Sequence, residues 1–350
     1  MQQVKHSVLP EYIEDEDTLN EVMTRPSPEL VAWMKELPDP LLVLGSGGKM
    51  GPTLAVLAKR AAQAAGNPLQ VIAVSRYSDP QVQSWLEAQG VKTVQFDLLE
   101  RDGYGSLPEA ENVIYLVGLK FGTTQNPGST WVMNTLVPAY VSERYRSARI
   151  VALSTGNVYP LVPASSRGSR ESDPMQPVGE YSNACMARER IFDYFSSKNG
   201  TPMILIRLNY AVDLRYGVLV DIAQKIQEGQ PVDVTTGYFN CIWQGDANDM
   251  IIRSLAFAAS PPRVLNLTST RPYAIRQLAE QIAARMGKPA NVQGSETDSA
   301  FISNTSLMQQ LLGDPATPID TVIRWTAHWI QRGGRTLNKP THFEVRDGKY

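Results

Sequence analysis

Cysteine is nearly missing from this chain of 350 residues: Cys185 and Cys241 are the only two. Two are too few for a disulfide framework, which predicts a reducing compartment. Histidine is almost as scarce, and His6, His328 and His342 show no ligand spacing, so no metal site is expected. Neither sign of charge dominates, since 33 Lys and Arg stand against 35 Asp and Glu for a net charge of -2. Without a basic excess to displace counterions, nucleic acid is not an expected partner. Long apolar runs are absent too: no stretch approaches the roughly 18 residues of a membrane span. The opening MQQVKHSVLPEYIEDEDTLNEV is polar and acidic where a secretory leader needs a basic start and an apolar core. The expectation is a soluble cytoplasmic protein that binds no membrane. With 43% apolar and 19% charged residues, the chain has enough hydrophobic material for one large or two smaller domains, which excludes disorder.

What is present falls into three regions. Residues 1–40 read as an extension, punctuated by Pro10, Pro26, Pro28, Pro38 and Pro40 around two short helical patterns at 18–24 and 29–37; it is expected to pack on the outside. From Leu41 short β-rich runs alternate with helical stretches: LLVL (41–44), LQVIAVS (69–75), VKTVQFD (91–97), VIYLVG (113–118), ARIVALS (148–154) and MILIRL (203–208). Alternation of this kind predicts an α/β fold, a doubly wound parallel sheet covered on both faces, over 41–205. Beyond it, 206–350 mixes helices at 217–228 and 275–286 with Pro- and Gly-rich connections, a smaller substrate-binding region partly interleaved with the first.

The segment GSGGKMG (45–51) lies between the first strand and an apolar helix. Gly45, Gly48 and Gly51 let the backbone turn sharply and approach a pyrophosphate at the helix N-terminus, with Ser46, Lys49 and Met50 in the same loop and Pro52 in the first turn. Strand before and helix after favour a dinucleotide site over a plain tight turn. The second strand ends Ser75-Arg76 where an NAD site offers a carboxylate to the ribose. A serine and an arginine suit a 2′-phosphate, so NADP is favoured, with Lys49 as a second cation; NAD remains open because a neutral strand end also admits it.

The spacing G-x-x-G-x-x-G and the landmarks after it resemble the extended short-chain dehydrogenase/reductase family of NAD-dependent epimerases and dehydratases, over about residues 41–330. The resemblance implies a Rossmann-type sheet with a smaller C-terminal α/β substrate domain. It implies cofactor contacts at Asp97-Leu98, and at Val117, Gly118 and Lys120 of IYLVGLKFG (114–122). Asn134 of WVMNTLVPAYV is similar to the family's helix asparagine. ALSTGNVYP (152–160) makes Thr155 the hydroxyl candidate, although a strand-end hydroxyl also caps the next turn, and Tyr181 follows at the family's spacing. The helices beginning at 131 and 183 correspond to those that pair across a two-fold axis, implying a homodimer.

In that family a tyrosine exchanges a proton with the substrate while hydride passes to or from nicotinamide. A lysine four residues on, one helical turn away, lowers the tyrosine pKa and binds the nicotinamide ribose. Here the segment is Tyr181-Ser182-Asn183-Ala184-Cys185, so the lysine is a cysteine. Cys185 reads as a small packed thiol rather than a nucleophile, since no histidine is placed to activate it. Three readings follow: the charge comes from elsewhere, with Lys120 the first candidate and Arg188 a longer reach; chemistry needs little base help; or catalysis is lost and a sensor or structural protein remains.

Family members acting on nucleoside-diphosphate sugars carry an arginine in R-D-Y-I-x-V-x-D; the matching position is Phe239. A diphosphate without bidentate partners is costly to bind. The expected substrate is therefore a smaller sugar, sugar acid or polyol, lined by Asn209, Tyr210, Arg215, Tyr216, Tyr238 and Trp243. The reading is an NAD(P)-dependent oxidoreductase or epimerase in which Asn134, Thr155, Tyr181 and Lys120 carry the chemistry.

Overall fold

A computed structural model describes residues 9–120, 122 and 125–348; the first eight residues, His6 among them, lie outside it. Seven parallel strands form the central sheet: β1 Leu41–Leu44, β2 Val71–Ser75, β3 Lys92–Gln95, β4 Asn112–Tyr115, β5 Arg149–Thr155, β6 Met203–Leu208 and β7 Arg263–Leu267. Their spatial order is β7-β6-β5-β4-β1-β2-β3. The order reverses between β1 and β4, which opens a crevice at the carboxyl ends of those strands, the usual ligand position of such sheets. The fold is the expected α/β Rossmann type with a smaller second region. β1 and β4 are buried along their whole length, as strands covered on both faces must be.

Helices α1 Glu16–Met23 and α2 Pro28–Met34 precede β1; α3 Gly51–Ala65, α4 Pro80–Ala88, α5 Pro127–Arg144 and α6 Gly179–Asn199 then alternate with the strands. Helix α3 packs on one sheet face with α2 and α8 Gln244–Ser254, while Val137 and Val141 of α5 and Phe192 of α6 fill the other. The second region gathers α7 Val218–Gln227, α9 Ile275–Met286 and, after the short α10 Ser306–Leu312, α11 Ile319–Gln331 around Trp243, Trp325 and Phe239. Strand β7, at 263–267, returns to the first sheet beside β6.

The extension does not pack on the outside. Ile13, Leu19 and Met23 enter the second core and Leu30, Met34 and Leu37 the first. The Asn67 amide donates to the Met34 and Leu37 carbonyls at 2.8 and 3.0 Å, and the Trp325 indole donates to the Pro10 carbonyl at 3.0 Å. Each helix is short but capped, by Asp15 and by Ser27, so few apolar anchors suffice to seat it. Among the described residues no helix is long and apolar enough to cross a membrane, and no group of three metal-binding side chains gathers.

Candidate active site

The glycine loop turns directly out of β1. Gly45 has φ +83°, and a Cβ there would stand 2.9 Å from Val117 Cγ2; a Cβ on Gly51 would stand 2.5 Å from the Ser46 Cα. Only glycine allows both approaches. Helix α3 begins without a side-chain cap, leaving its N-terminal amides and dipole to an anion. The cradle therefore fits the pyrophosphate of a dinucleotide. Ser46 adds no hydroxyl to it, because that group is buried against the Tyr77 hydroxyl at 2.9 Å.

The adenosine end holds Ser75, Arg76 and Asp97. Arg76 is exposed and 3.9 Å from Asp97, whose carboxylate also accepts from the Leu99 amide. Leu98 is buried in the core, and its carbonyl accepts from the Tyr104 hydroxyl at 2.7 Å. Lys49 does not join Arg76 as a second cation for a 2′-phosphate. Its amine instead donates to the Ala211 carbonyl at 2.6 Å and lies 4.1 Å over the Tyr216 ring, on the side of the second region.

The other end is a cavity of about 240 Å³ beyond β4, β5 and β6. Of the sequence candidates it brings together Lys49, Met50, Gly118, Lys120, Thr155, Tyr181, Arg188, Asn209, Tyr210 and Tyr216, and it adds Asn157 and Thr341. Tyr181, near the start of α6, hydrogen-bonds Thr155 and Cys185. Thr155 also accepts from the Asn157 amide at 3.2 Å, so its capping and site roles coexist. Asn134 lies behind the wall: its amide donates to the Thr130 and Leu119 carbonyls at 2.8 and 3.4 Å, fixing the chain just before Lys120.

Four candidates fall elsewhere. Arg215 is drawn to Asp213 at 2.9 Å and to Glu16 of the extension. Trp243 packs on Trp325 with ring centroids 5.4 Å apart. Tyr238 pairs as a short strand with Ala274. Cys185 is fully buried beneath Tyr181 rather than in the cavity wall. Aromatic and polar side chains in the second region served its core and its ties to the extension, a use their spacing does not distinguish from a sugar pocket.

Arg188 is the largest departure from expectation. Counted along the helix axis it seemed remote from Tyr181, but helical side chains lean toward the N-terminus and cover the turn before their own Cα. Its guanidinium therefore reaches back to Cys185 Sγ at 2.7 Å and donates to the Val117 and Leu153 carbonyls, both at 2.9 Å. Its neighbours are a thiol, Tyr115 and Tyr181, not a carboxylate. Burial pushes the Tyr181 hydroxyl well above the usual tyrosine range and the Cys185 thiol raises it further, while the Arg188 charge pulls it down. Burial likewise pushes the thiol up, so Cys185 is not an activated nucleophile. Lys120 stands 5.9 Å from the Tyr181 ring and 5.8 Å from the Tyr210 ring, its amine lowered to about 8 by burial.

A second buried arginine braces this site. Arg207 on β6 forks onto Glu189 of α6 at 2.7 and 3.0 Å and donates to the Tyr159 hydroxyl at 2.6 Å. Ser154 donates to the same glutamate. The network fixes α6 against β5 and β6, and with it the position of Tyr181 relative to Thr155.

The model of the NAD dependent epimerase/dehydratase family matches residues 41–239, more than half the chain. No curated protein matches in sequence. Among solved structures, a dTDP-glucose 4,6-dehydratase from Bacillus anthracis in complex with NAD superposes with a TM-score of 0.72 at 14% identity, over 84% of this chain and 97% of that one. A UDP-glucuronic acid 4-epimerase from Bacillus cereus in complex with NAD gives 0.70 at 14% identity, over 84% and 99%. A UDP-glucose 4-epimerase from Thermus thermophilus, also with NAD, gives 0.67 at 19% identity, over 84% and 99%.

Proposed function

The chain belongs to the NAD dependent epimerase/dehydratase family, and from that membership we propose an oxidoreductase or epimerase acting at a carbinol carbon of a small sugar, sugar acid or polyol. The observation that carries this reading is the chain of contacts from Thr155 to Tyr181 in the cavity wall and on through the buried Cys185 to Arg188. When bound, the nicotinamide ring supplies the acceptor and donor of hydride. Tyr181 takes and returns the substrate hydroxyl proton, and Thr155 holds the same oxygen. Arg188, acting through the Cys185 thiol, supplies the positive charge that a lysine supplies elsewhere in the family, and Lys120, 5.9 Å from the Tyr181 ring, adds a second. Both stabilise a developing tyrosinate in a site where burial alone opposes it.

Two observations support a small substrate. Phe239, at the position of the family's diphosphate arginine, is buried in the second core, and the cavity is below the about 300–1,000 Å³ usual for drug-sized ligands. The structural neighbours named above act on nucleotide sugars, which makes UDP-glucose and UDP-glucuronic acid the comparison substrates in any screen. For the cofactor, Ser75 and Arg76 favour NADP, while the neighbours hold NAD. We also propose a homodimer: Trp131, Val132 and Leu136 of α5 and Tyr194 of α6 are large apolar residues left exposed.

The cysteine at position 185, where the family has a lysine, favours a second reading, a dinucleotide-binding protein whose catalysis has weakened. Denaturing the purified protein, identifying released nucleotide by mass spectrometry and titrating the emptied site with NADPH and NADH tests the shared premise. Tyr181→Phe then separates the readings. Nicotinamide turnover on a panel of sugars, sugar acids and polyols falls by about 10²–10⁴-fold with dinucleotide affinity unchanged; turnover that survives the substitution removes Tyr181 from the mechanism.

A further inference from the structure

We propose that residues 337–348 are a strap that closes the substrate end of the cavity, and that Thr341 on it is a specificity-determining residue that stops a substrate from extending past the start of α7. The inference rests on the functional reading above and deepens it, because it gives the small substrate a structural cause. After α11 the chain turns back over the second region. The Leu337 amide donates to the Arg215 carbonyl at 2.8 Å, and Thr341 then enters the cavity wall with Tyr216, Gly217 and Val218. The family match ends at residue 239, so the strap lies outside it.

The strap is tied to both sides of the cavity. On the second-region side the Thr341 amide and hydroxyl both donate to the Asp221 carboxylate of α7, at 2.8 and 2.5 Å. One turn further along α7, Lys225 pairs with Glu344. Phe343 is buried in the second core, its carbonyl accepts from the Thr236 hydroxyl at 3.3 Å, and Arg346 donates to the Ser299 carbonyl and hydroxyl at 2.7 and 2.9 Å. On the other side Gly348 rests on Val178 and Gly179, which open α6 just ahead of Tyr181. Gly348 and Gly179 have φ +73° and +82°, and a Cβ on either would collide with the other's backbone, so only glycine allows this approach. Asn338 and His342, on either side of Thr341, hold φ +50° and +55°, a conformation that persists in such residues only where their surroundings impose it. A wall fixed in this way limits how far a substrate reaches and keeps water from the oxygen held by Tyr181 and Thr155.

Acrylamide quenching of the fluorescence of bound NADPH or NADH reads the closure in the full chain. Wild type shields the reduced nicotinamide relative to the free coenzyme, and Gly348→Val, which forces the strap off α6, raises the quenching constant by at least about twofold. The same variant shifts the Kd for the dinucleotide by less than about twofold. The size limit is read by calorimetry on the dinucleotide-loaded protein with glucose, glucuronate and their 4-nitrophenyl glycosides. Thr341→Gly improves binding of at least one glycoside relative to its parent sugar by about tenfold, whereas Thr341→Val, which keeps the volume, leaves that ratio as in wild type. Bound coenzyme as open to acrylamide in wild type as in free solution, or quenching that Gly348→Val does not change, overturns the strap. A ratio that Thr341→Gly leaves unchanged, or that Thr341→Val shifts equally, overturns the role of Thr341. Failure of every dinucleotide to bind wild type, or of both parent sugars to bind any of the proteins, defeats the functional reading instead.

Discussion

Arg207 and Arg188 are both almost wholly buried, at 3% and 4% exposure, yet only one has its charge answered. Arg207 meets the Glu189 carboxylate through a two-pronged contact; Arg188, whose neighbour in sequence is that same Glu189, meets a thiol and two carbonyl oxygens. Successive helix positions point about 100° apart, so one residue faces the brace between strands and the other the cavity. An uncompensated interior cation is costly. The difference separates a charge that holds the fold together from one whose counter-charge, on the proposed function, is the developing Tyr181 tyrosinate.

The comparison is broken most severely by removing the answered charge. Glu189→Gln leaves Arg207 without its counter-ion and costs about 3–5 kcal/mol in urea unfolding. Arg188→Met loses hydrogen bonds rather than an ion pair and costs about 1–3 kcal/mol, while nicotinamide turnover falls at least tenfold. Equal stability losses would erase the distinction.

A smaller effect sharpens it from Lys49, which lies against Ala211 and Tyr216. Burial lowers Lys49 from the ordinary lysine value of 10.5 to about 7 in the folded chain. Between those values the unfolded state binds more protons, so this lysine makes the ligand-free protein more stable as pH rises from about 7 to 10. Asp213, Asp221, Lys120 and Arg215 act on the same amine, and Cys185, raised above 9, has the opposite slope above that pH. The informative quantity is therefore wild type minus Lys49→Met: the difference moves in favour of wild type from pH 7 to 9.5, and a flat difference refutes the enclosed amine. Smallest is the exposed Arg76, where Arg76→Ala weakens NADPH by about tenfold and NADH by less than twofold in a fluorescence titration.

The glycine loop was legible because its three small residues sit between an apolar strand and an apolar helix, and the structure shows backbone pressed where each Cβ of Gly45 and Gly51 would lie. Tyr181 and Thr155 were legible only through the family resemblance of ALSTGNVYP and of the tyrosine that follows it at the family's spacing. Arg188 was named but ranked behind Lys120 because residue counting follows the helix axis, whereas a long side chain folds back along it. Arg215, Tyr238 and Trp243 were misread because core, interface and pocket draw on the same residue types. The extension was obscured by its prolines, which set off short helices whose buried faces rest on two or three residues each.

The central claim is that the cation missing at position 185 has been replaced from position 188. A double-mutant cycle in thermal and urea unfolding tests it most directly: Cys185→Lys in the native background and again with Arg188→Ala. Two unit charges about 4 Å apart at an effective dielectric near 20 repel by about 4 kcal/mol. The account predicts that the lysine is strongly destabilising beside Arg188 and tolerated without it, with a coupling of at least about 2 kcal/mol. Effects that add to within about 0.5 kcal/mol would mean that the two positions do not share one electrostatic site, and would contradict the account.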